Sequence, residues 1–161
     1  MSRDAATQAQ VTAGRPDRSS WVSANAGSGK TRVLTDRVAR LLLRGAAPQR
    51  ILCLTYTKAA ASEMQNRLFD RLGQWSMLPD ADLRKALSAL DEARIGISDR
   101  ELARARTLFA RALETPGGLK IQTIHAFCEA QLRRFPLEAD VTPGFQVLED
   151  RASTLLRAQT L

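Results

Sequence analysis

Cysteine is scarce: Cys53 and Cys128 are the only two in 161 residues, and they form no CxxC pair. This excludes a disulfide framework and a cysteine-based zinc site, and it fits a reducing compartment. Long apolar runs are missing too. The longest, Leu41–Leu43 with Val38 nearby, is interrupted by Arg37, Arg40 and Arg44. A membrane span needs roughly 18 such residues. Met1 to Asp17 is polar and Ala-rich, without the apolar core of a secretory signal. No internal repeat and no low-complexity tract is visible. These absences lead to the expectation of a soluble cytoplasmic protein.

What is present suffices for about one ordinary domain. Hydrophobic residues make up 44%, enough for a core, which excludes a fully disordered chain. The formal charge is +7, from 24 basic and 17 acidic side chains. Only Lys30, Lys58, Lys85 and Lys120 are lysines, which leaves 20 arginines. Arginine pairs bidentately with phosphate, so the excess is weak evidence for a polyanionic partner. Genome composition produces the same excess.

Periodicity predicts alternating strands and helices. Thr7–Thr12 reads as a short helix ending near Gly14 and Pro16, and Ser20–Ala24 as a short buried strand. Lys30–Arg44 is an amphipathic helix with Val33, Leu34, Val38, Leu41 and Leu42 on one face and Gly45 just beyond its end. Arg50–Thr55 reads as a buried strand. Ala59–Leu72 is helical, with Ala60, Met64, Leu68 and Leu72 spaced by four and Gly73 as its expected stop. Ala81–Ala93 is a further helix. Ser98 and Glu101 form a capping box that opens a helix to about Glu114, with Leu102, Ala105, Phe109 and Leu113 inward. Thr115–Gly118 is a turn, Leu119–Thr123 a strand and Ile124–Phe135 a helix. Glu149–Leu161 reads as a helix in progress, with Leu155, Leu156 and Leu161 at helical spacing. The expected fold class is α/β, with a parallel sheet, flanking helices and extra helical segments.

The strongest signal is Ala24-Asn-Ala-Gly-Ser-Gly-Lys-Thr31, which has Walker A spacing with Ala24 in place of the usual first glycine. Gly27 and Gly29 allow successive backbone N–H groups to curl around a phosphate. The helix that follows directs its positive end at the anion. Lys30 can reach the β and γ phosphates and the Thr31 hydroxyl can ligate Mg²⁺. The expected nucleotide-contacting set is Ser23, Ala24, Asn25, Ala26, Gly27, Ser28, Gly29, Lys30, Thr31 and Arg32, with Arg32 otherwise a cover for its helix. A bare turn is the alternative, and the flanking strand and helix argue against it.

Three further elements bear on function. Thr55, Tyr56, Thr57 and Lys58 follow the second strand, at the carboxyl end where α/β sheets bind ligands. Tyr56 can stack on a base while the threonines and lysine hold phosphates. Tyr56 can equally pack on the sheet rim. Thr123, His125 and Phe127 follow the last strand in the same way. His125 can instead cap a helix or satisfy a core hydrogen bond. Gln10, with Gln8 nearby, lies upstream of the phosphate loop and can read an adenine edge. Arg133 and Arg134 read as a solvated helix face, Trp21 and Trp75 as core or rim packing, and the two cysteines as buried thiols.

Together these motifs resemble the UvrD/Rep-type superfamily 1A helicases, and among them most closely the AddA family of helicase–nuclease proteins, especially the alphaproteobacterial kind. The residues that carry this are Trp21-Val-Ser-Ala-Asn-Ala-Gly-Ser-Gly-Lys-Thr31, Ile51-Leu-Cys-Leu-Thr-Tyr-Thr-Lys-Ala-Ala-Ala61, Leu113 through Cys128, and Arg134-Phe-Pro-Leu-Glu-Ala139. The resemblance covers nearly the whole chain. It implies a P-loop NTPase (RecA-like) motor domain, called 1A, over residues 1–134, with a helical insert at about 74–114. Residues 135–161 would begin the 1B insertion. It implies ATP and Mg²⁺, single-stranded and double-stranded DNA ends, and an AddB partner in a heterodimer. By position, Gln10 would contact adenine. Lys30 and Thr31 would serve hydrolysis. Thr55, Tyr56, Thr57, Lys58, Thr123, His125 and Phe127 would lie along DNA. Tyr56 stands where the family usually has Phe.

An acidic residue after a buried strand, needed to hold Mg²⁺ and activate water, is missing. The one candidate, Phe145–Asp150, has a short apolar stretch after Pro143-Gly144 and resembles a linker instead. A second motor domain and a nuclease motif are also not seen. The expectation is an amino-terminal part of a longer chain, inactive alone. A UvrD-like helicase without nuclease, a small-substrate P-loop phosphotransferase and a stand-alone nucleic-acid module are the competing readings.

Overall fold

The computed structural model describes residues 5–23, 25, 27, 29–90, 96–148 and 158. In chain order the elements are α1 (Ala5–Ala13), α2 (Lys30–Leu43), a 3-10 turn (Pro48–Arg50), β1 (Leu52–Thr55), α3 (Lys58–Met77), α4 (Asp80–Leu90), α5 (Asp99–Leu113), β2 (Lys120–Thr123) and α6 (Ile124–Arg134). β1 and β2 pair in parallel, with Leu52 opposite Lys120 and Thr55 opposite Thr123. Parallel neighbours require a crossover, and α3, α4 and α5 supply it. The fold is a mixture of helices around a small parallel sheet.

The core gathers around α3. Met64, Leu68, Leu72 and Trp75 lie buried along one stripe of it, at the helical spacing read from the sequence. Leu102, Ala105, Leu108 and Ala112 of α5 meet that stripe, with Leu83 and Leu87 of α4 and Ile121 of β2 closing the cluster. Phe69 and Phe109 meet edge to face at 6.1 Å between ring centroids. The Ser98–Glu101 capping box forms as the sequence predicts. Gly45 follows α2 in the left-handed region, φ 95°. Gly118 donates to the Thr115 carbonyl at 2.8 Å and closes the predicted turn.

Several expectations are corrected. Residues 20–23 form no strand, and Trp21 is 96% exposed, neither core nor rim. A strand needs a neighbour for its backbone, and β1 and β2 use each other; the described residues hold no other strand for this segment to join. Gly73 does not end α3, which runs on to Met77. A Cβ there would meet the Phe109 ring at 3.6 Å, an ordinary contact, so the packing neither requires this glycine nor ends the helix at it. Burial of Trp75 just beyond it outweighs the ~1 kcal/mol that glycine costs inside a helix. Leu34 and Leu113 are exposed, because the buried stripes of α2 and α5 run through Val33–Val38–Leu42 and Ala105–Leu108–Ala112 and rotate past them. Ala61, rather than Ala60, joins the α3 stripe. Residues 145–148 are not strand, and positions 149 and 150 of the rejected Walker B candidate lie outside the described residues. Two expectations fall outside the described residues: the helix over 149–161, position 158 apart, and the last three positions, 91–93, of the helix that starts near Ala81. Among the described residues no helix is long and apolar enough to cross a membrane.

Leu68 is fully buried at the centre of this cluster. Leu68→Ala is expected to cost about 2–5 kcal/mol, a lost side chain plus the cavity it leaves. Urea unfolding followed by circular dichroism measures it.

Candidate nucleotide site and strand-end cluster

The candidate phosphate loop is set by two left-handed glycines, Gly27 at φ 77° and Gly29 at φ 85°, a region that costs other residues energy. Gly29 caps α2 without a side-chain hydrogen bond, and Lys30 is its first helical residue. The first N–H groups of an α-helix lack intrahelical partners, so this end suits an anion. Lys30 is exposed and its Nζ donates to the Asn25 carbonyl at 2.6 Å, folding back over the loop. Thr31 is half-buried, and its carbonyl accepts from Thr35 Oγ1 at 2.8 Å. Arg32 is largely exposed, with Nε 4.0 Å from Asp36 Oδ2; Asp36 also pairs with Arg71 of α3. Ser23 and Asn25 are exposed. Ala24, Ala26 and Ser28 lie outside the described residues.

Gln10 comes to this loop from α1. A Cβ on Gly29 would lie 3.2 Å from Gln10 Nε2. Gln8 instead lines a separate hollow with Thr12 and Trp21. Beside the loop, a hollow of about 440 Å³ is lined by Ala13, Ser20, Val22, Lys30, Val33 and Arg37, among others. No group of three or more His, Cys, Asp or Glu able to hold a metal occurs among the described residues. Among the described residues, the hydroxyl at the start of α2 is that of Thr31.

The second cluster stands at the carboxyl ends of the strands. β1 and β2 both turn into helices through a threonine cap. Thr57 Oγ1 accepts from Ala60 N at 3.1 Å to open α3, and Thr123 Oγ1 accepts from Ala126 N at 3.1 Å to open α6. Thr55 Oγ1 donates to the Thr57 carbonyl at 3.0 Å. Because Thr55 and Thr123 stand in register, the residues after them converge. Tyr56 is 80% exposed and does not pack on the sheet rim. Its ring meets His125 edge-on, 6.4 Å between centroids. His125 is exposed and is not the helix cap, a task Thr123 performs. Lys58 is exposed on the first turn of α3, and Phe127 is half-buried on α6.

The structure thus brings Gln10 to the phosphate loop, and Tyr56 to His125. Arg133 pairs with Glu129 at 2.8 Å and lies over the Phe145 ring, as a solvated helix face does. Trp75 is core. Sequence reasoning missed Arg37 and Arg40, whose side chains hold α1 to α2; neither belongs to a motif, and only contacts far along the chain reveal them.

The model of the UvrD/REP helicase N-terminal domain matches residues 4–161. The chain belongs to that family. Among curated relatives, it is 35% identical over 140 residues to an ATP-dependent helicase/nuclease protein of Enterococcus faecalis, covering 87% of this chain and 9% of that protein. The ATP-dependent helicase/nuclease counterpart from Desulforudis audaxviator is 32% identical over 157 residues, 94% of this chain and 11% of that protein. That of Latilactobacillus sakei is 35% identical over 137 residues, 85% of this chain and 13% of that protein. Each of the three is named as one subunit of its enzyme. The chain spans about a tenth of the length of the relatives it matches.

Cys53, in β1 of this UvrD/REP domain, is partly buried, and burial pushes its thiol pKa above the ordinary value. Cys128 is exposed, contrary to its expected burial. At pH 8, iodoacetamide is expected to modify Cys128 first and Cys53 at least about tenfold more slowly, since only thiolate reacts. Folding holds the proton on Cys53, so its contribution to stability is present at neutral pH and lost as pH rises through the raised value. Peptide mass mapping of alkylated chain after timed quenching reads both rates.

Proposed function

We propose that this chain is the ATP-binding part of an ATP-dependent DNA helicase motor, belonging to a helicase–nuclease that processes double-strand breaks in the cytoplasm together with an AddB partner. The observation that carries this is the meeting of Gln10, Gly29 and Lys30 at one helix start. A side-chain amide, a left-handed glycine and a lysine ammonium at the start of one helix support the reading of this place as a nucleotide site. The names of the relatives favour helicase with nuclease over helicase alone. In this reading residues 1–134 are a RecA-like motor domain 1A with P-loop NTPase topology and a helical insert at about 74–114. Residues 135–161 begin the 1B insertion.

The loop from Ser23 to Gly29 wraps the phosphates of ATP with backbone N–H groups. Lys30 leaves the Asn25 carbonyl for the β and γ phosphates, and Arg32 supports them from two positions on. The Thr31 hydroxyl holds Mg²⁺, which neutralises phosphate charge when bound. Gln10 reads the adenine edge. At the strand ends, Tyr56 offers a stacking face to a base of single-stranded DNA, with His125 and Phe127 flanking it. Lys58, Thr55 and Thr57 face the backbone phosphates, and Thr123, itself buried, contributes through the helix start it caps. Closure of a partner motor domain onto bound ATP would shift the strand-end cluster along DNA.

In the complete protein, Lys30→Ala is expected to lower ATP affinity by about 10- to 100-fold, the worth of a charge-assisted contact of about 1.5–3 kcal/mol. Fluorescent-nucleotide titration checks it, and unchanged affinity sinks the reading. Tyr56→Ala is expected to keep ATP affinity and weaken single-stranded DNA binding by about tenfold, within the range of a base–aromatic stack. Fluorescence anisotropy with an oligonucleotide measures that loss.

A further inference from the structure

α1 carries Gln10, yet none of its described side chains is fully buried. Apolar packing does little to fix this helix. Two arginines of α2 hold it instead. Arg40 Nη1 donates to the Val11 carbonyl at 2.9 Å, and its Nη2 donates to the Leu90 carbonyl of α4. Arg37 does more. Its Nη1 donates to the Arg15 carbonyl at 2.5 Å and reaches the Ala13 carbonyl at 3.4 Å, while its Nη2 donates to the Arg18 carbonyl at 2.7 Å. The acceptors belong to the end of α1 and the turn that follows, where the helix itself leaves carbonyls unsatisfied. Arg15 pairs with Asp17 at 3.0 Å and tightens the same turn. A planar guanidinium with fixed N–H directions fits such a set of carbonyls, and a lysine ammonium fits it poorly.

The arrangement places one task at each end of a short distance. Lys30 opens α2, and Arg37 stands seven residues later on the same helix, about 10 Å along its axis. Gln10, nearly one turn before Ala13, lies against Gly29. We propose that Arg37 is a positioning residue for base recognition. It fixes the carboxyl end of α1 and the turn after it, so that the Gln10 amide is held at the phosphate loop. This rests on the reading of the loop and Gln10 as an ATP site. An amide that must match adenine with one donor and one acceptor discriminates only when its position is fixed, because guanine presents the reverse pattern. Arg37 therefore sets the preference for ATP over GTP without touching either. Arg40 is a poorer probe, since its second contact reaches α4 and its loss would loosen the core.

The test compares kcat/KM for ATP and GTP in the complete protein, with thermal melting as a folding control. Gln10→Ala is expected to lower the ATP/GTP ratio by roughly tenfold. Arg37→Ala is expected to lower it as much, leaving GTP turnover within about twofold, and Arg37→Lys to lie between. The double variant is expected to show no lower ratio than Gln10→Ala alone, since both remove one function. Should Arg37→Ala not fold, Arg37→Lys carries the comparison. A ratio unchanged in the folded Arg37 variants, an equal loss with ATP and GTP, or additive losses in the double variant would each overturn the proposal. If Gln10→Ala leaves the ratio unchanged while Lys30→Ala still loses ATP, the proposal falls and the phosphate-site reading stands. If Lys30→Ala binds ATP normally, that reading falls first.

Discussion

Helices α1 to α4 end on guanidinium groups. Arg37 takes the Ala13 carbonyl at the end of α1, Arg104 the Leu43 carbonyl at the end of α2, and Arg106 the Ser76 carbonyl near the end of α3. Arg40 takes the Leu90 carbonyl at the end of α4, and Arg84 that of Ile97 just before α5. The last carbonyls of a helix lack partners and carry the negative end of its dipole, so a cation with several N–H groups answers both needs. Arg40 is buried, and a charge there is tolerated because it is hydrogen-bonded to carbonyls. The arginine excess, which in the sequence suggested a polyanion, is thus committed in part to joining helices. Arg106 and Arg84 also pair with Asp80 and Asp99, so neutralisation occurs within the fold.

Beside these helices the sheet is small, and its importance is in where it points. Two parallel strands of four residues deliver two threonine caps side by side. Each cap is worth about 1 kcal/mol to its helix. Each also fixes the direction in which the next residues leave the sheet. Tyr56 and His125 therefore meet at the surface through backbone geometry, with both residues exposed.

Helices were legible in the sequence because their apolar spacing is strong. α3, α5 and the capping box stand where periodicity put them, with bounds within a few residues except at the end of α3. The parallel pairing was legible from two short apolar runs separated by helices. The left-handed turns at Gly27 and Gly29 were legible because glycine positions carry such backbone angles directly. What escaped was non-local. Trp21 and Val22 read as strand from composition, but a strand exists only where a neighbour offers hydrogen bonds. Gly73 read as a stop, but α3 runs past it to Met77, and Trp75 beyond it is buried in the core. The partners of Arg37, Arg40 and Arg104 are carbonyls, which every residue has, so no residue pattern announces them. The sequence put Gln10 ahead of the nearby Gln8 by its place in the motif alone, and the packing of α1 on α2 brings Gln10 to Gly29.

α2 is the member on which these links converge. It begins at the phosphate loop, holds α1 through Arg37 and Arg40, and reaches α3 through Asp36 and Arg71. α3 in turn begins at Thr57 and Lys58. Hydrogen bonds weaken steeply with angle and distance, so a slide of α2 by an ångström or more would break several at once. α1, α2 and α3 should then move as one body, with the phosphate loop and the Tyr56 cluster at fixed separation. Under the proposed motor reading, nucleotide-driven motion would then displace this body as a whole, with the arginine-fastened helices carrying it.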